Sequence, residues 1–368
     1  MPDRAPMSGD GGAAGRAGGR GTKKPASGAG TAGRGGKKAA GSRAAKTAAG
    51  TKAVAKASGQ AVAKPDGQGA AARQAAGAGA AAAARRLGVH KTYKLFIGGA
   101  FPRSESARSY PVTSPDGELL GWPAQASRKD ARDAVRAARS AQAGWAGATA
   151  YNRGQVLYRV AEMIEGRQAQ FSEDLVHAEG LGPAEAALAV AAAIDRWVWY
   201  AGWPDKVAQV AGAANPVAGP YFNFSVPEPT GVVAVLAPQR SSLLGLVSVI
   251  APVIATGNTA VVVASEQRPL PAITLAEVLA TSDVPAGVVN VLTGRTAELA
   301  PVLAAHMDVN ALDLTGAEPG SRAELERLAA ASVKRLHAGQ DDGWAAPPGP
   351  ARMLAFLETK TVWHPVGI

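Results

Sequence analysis

The order of apolar and polar positions changes twice along the chain. Residues 93 to 101, YKLFIGGAF, place Tyr93, Leu95 and Ile97 at alternate positions before a Gly-Gly turn, which predicts a strand and a hairpin. The segment SRKDARDAVRAARSAQAGWA then switches to helical spacing. Ala131, Ala134, Val135, Ala138 and Ala141 share one face, and Ser127 with Asp130 has the spacing of a capping box. Two more helices are expected, over RGQVLYRVAEMIEGRQAQF and AEAALAVAAAIDRWVWYAGW. In the second of these, Trp197, Trp199, Tyr200 and Trp203 are expected to pack against the core rather than form an exposed aromatic platform.

After Pro216 the pattern becomes strand-like. YFNFSVPEPTGVVAVLAP alternates aromatic and polar residues, is expected to turn at Pro-Glu-Pro-Thr-Gly, and continues into the apolar run Val232 to Ala237. A run of that kind suits a strand buried on both faces of a parallel sheet. Strand (VVAVLA), helix (SLLGLVSVIAPVIATG), strand (TAVVVAS), helix (PLPAITLAEVLAT), strand (GVVNVLTG), helix and strand (ALDLTG) then follow in strict alternation. This order predicts an α/β fold with a doubly wound, Rossmann-like sheet.

Charge divides the chain differently. Residues 1 to 90 contain no Phe, Trp or Tyr and carry 16 Lys and Arg against Asp3, Asp10 and Asp66, a net of +13; the whole-chain net of +10 leaves −3 for the rest. Blocks such as GRGGKKAAGSRAAKTAAGTKAVAK cannot bury enough apolar area to offset chain entropy, so residues 1–91 are expected to form a long disordered basic tail. A polycation of this kind predicts weak, sequence-independent nucleic-acid binding, without aromatic residues for base stacking.

The chain has no cysteine, which excludes disulfides, thiolate zinc sites and a thiol nucleophile. No metal site is expected. The five histidines fall in unrelated contexts, and each is read as a surface or structural residue. No apolar run reaches membrane-spanning length, so no membrane association and a cytoplasmic location are expected.

Several collinear motifs resemble the NAD(P)-dependent aldehyde dehydrogenase superfamily: FIGGAF and TSPDGELLG, AGWPDK, EPTGVVAVLAP, GNTAVVVASEQ and PAGVVNVLTG. The resemblance implies a cofactor-binding domain over 92–336, with an oligomerisation β-hairpin at about 217–230. It further implies a Gly/Pro-rich linker over 337–353 and a C-terminal oligomerisation strand over 354–368 that returns to the hairpin. NAD or NADP is the implied cofactor. By the same resemblance Glu266 and Ser265 stand at the ribose-binding end of the second sheet strand, and Gly316 and Gly320 belong to the pyrophosphate turn.

Departures from the family pattern carry as much weight. Where the family has Pro-Trp-Asn, with the asparagine amide on the oxyanion, this chain has Pro238, Gln239 and Arg240. Val263 replaces the family's ribose-binding lysine, Ala317 replaces the phosphate-facing serine, and the Gly316–Gly320 turn is one residue short. After ASVKRL the family continues to Glu-Leu-Gly-Gly, which carries its general base, and then to a catalytic domain with the nucleophilic cysteine. Here HAGQDDGWAAPPGPARM leads straight to LAFLETKTVWHPVGI.

The resulting expectation is a catalytically inactive family member with weakened or lost cofactor binding and no catalytic residue. It would act as a non-catalytic or regulatory subunit, partnered by a full-length aldehyde dehydrogenase or by copies of itself. Two alternatives stand beside it: an active NAD(P)-dependent oxidoreductase acting on the aldehyde or oxo group of donors, and a nucleic-acid-associated scaffold working through its basic tail.

Overall fold

The computed structural model describes residues 89–367, so most of the predicted basic tail lies outside the described residues. The first elements are β1 (Thr92–Tyr93), β2 (Val112–Thr113) and β3 (Leu119–Pro123), a small sheet in which β3 is central. The alternation expected through Ile97 persists only as far as β1. Leu95 and Phe96 are both buried, in the cores on opposite faces of the main sheet. Phe96 exchanges backbone hydrogen bonds with Val291 at 2.9 and 2.7 Å. Consecutive residues are buried because the segment threads along the edge of a second sheet instead of lying half-exposed on a surface.

Helices α1 (Arg128–Gly147), α2 (Ala150–Glu165), α3 (Gln168–Glu179), α4 (Pro183–Ala201) and the short α5 (Val207–Ala211) follow. The Ser127–Asp130 capping box at the start of α1 forms in both directions. The second expected helix is two helices, interrupted at Gly166 and Arg167, where glycine ends α2 and its amide bonds back to Glu162 O. Glycine's low helix propensity makes this the cheapest place to break. In α4, Trp197 and Tyr200 are buried, while Trp199 and, just past the helix, Trp203 pack partly buried against the same core.

Next come β4 (Ala213–Asn215) and β5 (Tyr221–Pro229), then β6 (Val232–Leu236), α6 (Leu244–Ala255), β7 (Thr259–Val263), α7 (Leu270–Leu279), β8 (Val289–Leu292), α8 (Thr296–Ala305) and β9 (Ala311–Asp313). A 3-10 turn over Pro319–Ser321 leads into α9 (Arg322–Ala330), followed by β10 (Arg335–His337), α10 (Ala351–Leu354) and β11 (Leu357–Pro365). Strand β5 runs through to Pro229, and the turn expected within Pro-Glu-Pro-Thr-Gly falls on its last two residues, Thr230 and Gly231, where Gly231 has φ +129°. Pro227 and Pro229 lie past Ser225, the last β5 residue paired with β4, so they fall where the strand has one neighbour instead of two.

Strands β6 to β10 form a parallel sheet in the order β10-β9-β6-β7-β8. Residues of β6 alternate between two cores: Val233 and Val235 face α2, α3, α4, α6 and α7, while Val232, Ala234 and Leu236 face α1, α8 and α9. Burial on both faces is why the run is unbroken, each valine or leucine side chain contributing about 1.5–3 kcal/mol of transfer free energy. From β6 the chain builds outward through β7 to β8, then crosses to β9 and β10 on the other side. The topological switch point therefore lies between the carboxyl ends of β6 and β9, where open α/β sheets present their ligand crevice.

A separate antiparallel sheet has the order β11-β5-β4, with β11 paired to β5 along its whole length, from Leu357 opposite Pro229 to Pro365 opposite Tyr221. Tyr221, Phe222 and Trp363 on it are about half exposed, and the Tyr221 and Trp363 rings meet edge-on at 5.8 Å. No described helix is long and apolar enough to cross a membrane.

Candidate functional site

At the carboxyl end of β6 the backbone leaves the sheet through Ala237, Pro238, Gln239 and Arg240. Gln239 stitches this end to that of β7: its Nε2 donates to Ala237 O at 2.8 Å, and its Oε1 accepts from Glu266 N at 2.9 Å. Ser265 is buried and used in the same stitching. Its hydroxyl donates to Gln239 O at 3.0 Å and accepts the Arg268 amide at 3.2 Å. Arg268 Nη1 in turn donates to Arg240 O at 2.5 Å, whereas the Arg240 side chain is exposed.

Both oxygens of Glu266 have donors. Arg295 Nη1 reaches Oε1 at 2.5 Å, and the Thr296 amide, first in α8, donates to Oε2 at 3.1 Å. The carboxylate thus sits at a helix N-terminus, where the dipole favours negative charge. The Arg295 guanidinium also lies 5.4 Å from the centre of the Tyr110 ring. Burial, reinforced by the charge of Glu266, pushes the Tyr110 hydroxyl pKa well above its ordinary value.

On the other side of the switch point, the turn after β9 presses against β6. Gly316 N donates to Leu236 O at 2.9 Å, and a Cβ at this position would run into the Ala237 carbonyl. Close backbone approach, not a left-handed conformation, is what demands glycine here. Gly320 is different, since a Cβ there would meet nothing within 4 Å. Pro319 opens the 3-10 turn that leads into α9.

A cleft of about 920 Å³ opens between α8 and α9 at this end of the sheet, and Arg240, Glu266, Gly316 and Gly320 all line it. Ser265 does not line it. Val263 and Ala317 are buried, Val263 completely. The residues singled out from sequence are thus largely gathered at one place, while Gln239, Arg268 and Arg295 were missed. Arg295 carried a signal, as a cation directly after the Gly294 turn and opposite the strand-end Glu266. Gln239 carried none, because its role depends on the separation of two strand ends.

The largest omission is Asp341, in the segment read as a linker. Its Oδ2 accepts the Gln239 amide at 2.7 Å and the Arg240 amide at 3.3 Å. A dinucleotide crossing the switch point must reach the backbone at the end of β6 and the turn after β9. The amides of Gln239 and Arg240 are taken by Asp341, whereas Gly316 and Gly320 of the turn after β9 still line the cleft. The open cleft can take part of such a molecule, but the residues present do not fit a complete one in this arrangement.

With this geometry in view, the comparisons with known proteins are direct. The aldehyde dehydrogenase family profile matches residues 101–340. The chain is 31% identical over 248 residues to aldehyde dehydrogenase, cytosolic 1 of Elephantulus edwardii, covering 66% of this chain and 49% of that protein. It is 32% identical over 266 residues to mouse cytosolic 10-formyltetrahydrofolate dehydrogenase, covering 69% of this chain and 29% of the relative. Among solved structures, the NAD+ complex of Bacillus cereus aldehyde dehydrogenase aligns with a TM-score of 0.63 at 26% identity, over 67% of this chain and 50% of that one. HpcC of Thermus thermophilus aligns with the same TM-score at 32% identity. The protein belongs to the aldehyde dehydrogenase family of oxidoreductases, and it spans about half the length, or less, of the relatives it matches.

Proposed function

We infer that the protein is a catalytically inactive member of the family that acts as a non-catalytic or regulatory subunit of an aldehyde dehydrogenase assembly. The observation that carries this reading is a chain with no cysteine that nevertheless builds the complete β11-β5-β4 sheet with its half-exposed aromatic residues. Aldehyde oxidation begins with a nucleophile that forms a tetrahedral adduct, whose collapse delivers hydride. A serine without an adjacent base is a poor substitute for a thiolate. Strands β11 and β4, by contrast, are edges able to accept another chain by pairing.

The partner is a full-length, cysteine-bearing aldehyde dehydrogenase, or else further copies of this chain. Binding of NAD or NADP is weakened relative to that family, in keeping with Asp341 on the β6 amides and with the two donors held by Glu266. The cytoplasm is the proposed setting, as two of the relatives are cytosolic proteins by name.

Native mass spectrometry of the protein mixed with a full-length dehydrogenase from the same host tests the subunit reading. A stoichiometric hetero-oligomer, lost on Trp363→Lys, is the expected result. A homo-oligomer that ignores the full-length enzyme argues for self-assembly. NAD(P)-dependent turnover of aldehydes by the chain alone would replace the reading with that of an active oxidoreductase.

A further inference from the structure

The segment between β10 and α10 is not a loose connection. Gly339 passes between Thr315, His337 and Arg352 so closely that a Cβ would collide with Thr315 Oγ1, and its carbonyl accepts Arg322 Nη2 at 2.8 Å. Asp341 then sits on the Gln239 and Arg240 amides, and its other oxygen accepts the Trp344 indole N–H at 3.0 Å. Arg196 of α4, only 8% exposed, donates to Ser248 Oγ at 2.8 Å, to Trp344 O at 2.8 Å and to Ala346 O at 2.9 Å.

These attachments are unequal. At Trp344 and Ala346 the acceptors serve a buried guanidinium, and pulling them away would strand a desolvated cation. Before Trp344, Gln340, Asp342 and Gly343 are exposed, and Gly343, with no Cβ and nothing within 4 Å of where one would lie, can take backbone conformations closed to other residues. The firm anchors therefore lie at Gly339 and at 344–346, and residues 340–343 between them are the part that can lift.

We propose that residues 340–343 are a strap that closes the switch-point crevice against a dinucleotide, with the Asp341 carboxylate as its latch on the amides at the end of β6. The Asp341 carboxylate takes the two backbone amides at the end of β6, while the cleft between α8 and α9, which Gln239, Arg240 and Gly316 line, stays open beside it. Apparent affinity for a ligand that needs the open form falls in proportion to the open fraction, so a strap open one part in ten lowers it about tenfold. This holds whether or not the protein is catalytic.

The test is calorimetric titration of NAD into the full chain and into Asp341→Ala, with hydrogen exchange at the Gln239 and Arg240 amides followed in both. The expected result is slow exchange of those amides in the parent, faster exchange in the variant, and NAD affinity raised at least about tenfold. Gly339→Val, which the gap at Thr315 cannot hold, is expected to act in the same direction. Faster exchange with no gain in NAD affinity, or with none measurable in either protein, overturns the strap as an occluding element and leaves the non-catalytic reading standing. Fast exchange in the parent overturns the latch itself. Aldehyde turnover appearing in Asp341→Ala would sustain the strap and overturn the non-catalytic reading.

Discussion

Arg352→Met tests what fastens the C-terminal segment to the sheet. Arg352 is 14% exposed at its side chain and forms an ion pair with Asp313, which is fully buried at the end of β9. Removing one partner of a buried pair costs about 3–5 kcal/mol, because the other charge is left uncompensated. Two local features set the figure here. The Thr315 amide, at 3.0 Å, and the Thr315 hydroxyl still donate to Asp313 Oδ1, so only Oδ2 loses its donor. Against that relief, the Arg352 guanidinium sits 5.7 Å from the centre of the Trp344 ring, an interaction worth roughly 0.5–1 kcal/mol.

The expected loss is therefore about 2–4 kcal/mol, read as a lower urea midpoint at unchanged slope by tryptophan fluorescence and circular dichroism. Asp313→Asn should cost less, because Arg352 keeps access to water and the amide oxygen can still accept from Thr315. The double variant should show a coupling of about 1–3 kcal/mol. A loss below about 1 kcal/mol for Arg352→Met, or additive single changes, would mean that the pair does not hold this segment.

Three further outcomes follow from particular residues. Gly316→Ala should destabilise by more than about 2 kcal/mol through its clash with Ala237, while Gly320→Ala should stay within about 1 kcal/mol; equal effects in urea unfolding would contradict the packing described. Burial holds His337 below its ordinary pKa of 6.5, with Asp313 opposing and Arg352 assisting, and burial likewise lowers His306. The unfolded chain then takes up protons first, so this stability is complete above about pH 6.5 and is lost as the pH falls toward the folded value. His337→Phe should flatten the fall in melting temperature between about pH 7 and 5, and an unchanged slope would rule His337 out as its source. Deleting residues 1–88 should remove any salt-dependent DNA binding by the chain, and binding that survives the deletion would refute the assignment to the tail.

What could be read from sequence, and what could not, follows from the range of the interactions. The valine runs of β6 and β7 are legible because burial on both faces requires apolar residues at every position, and nothing distant changes that requirement. The Ser127–Asp130 cap is legible because both partners lie within four residues. The helix break at Gly166 was missed because the apolar spacing continues across it. Within Pro-Glu-Pro-Thr-Gly the turn falls on the last two residues, because prolines are tolerated in the strand where β5 has a single neighbour. At the site, Glu266 and Gly316 were found through motif position. Asp341 was hidden because an acidic residue in a Gly/Pro-rich stretch reads as solvated until the fold brings it 102 positions back to Gln239.

The stretch after β10 performs two tasks that one experiment can separate. Residues 340–343 latch onto the end of β6 at the switch point, and β11 completes the three-stranded sheet by pairing with all nine residues of β5. Between them lies α10, fastened through Arg352 to Asp313 under the crevice, with Phe356 O accepting from Asn258 Nδ2 at 2.9 Å just before β11 begins. Asp341→Ala should therefore alter the crevice alone, leaving exchange along β11 at its original rate. Arg352→Met removes a group that touches both Trp344 of the anchor and the end of β9, so it should raise exchange at the Gln239 and Arg240 amides and in β11 together. If Arg352→Met changes only one of the two regions, the strap and the strand are independent attachments, and occupancy of the crevice cannot influence the sheet through α10.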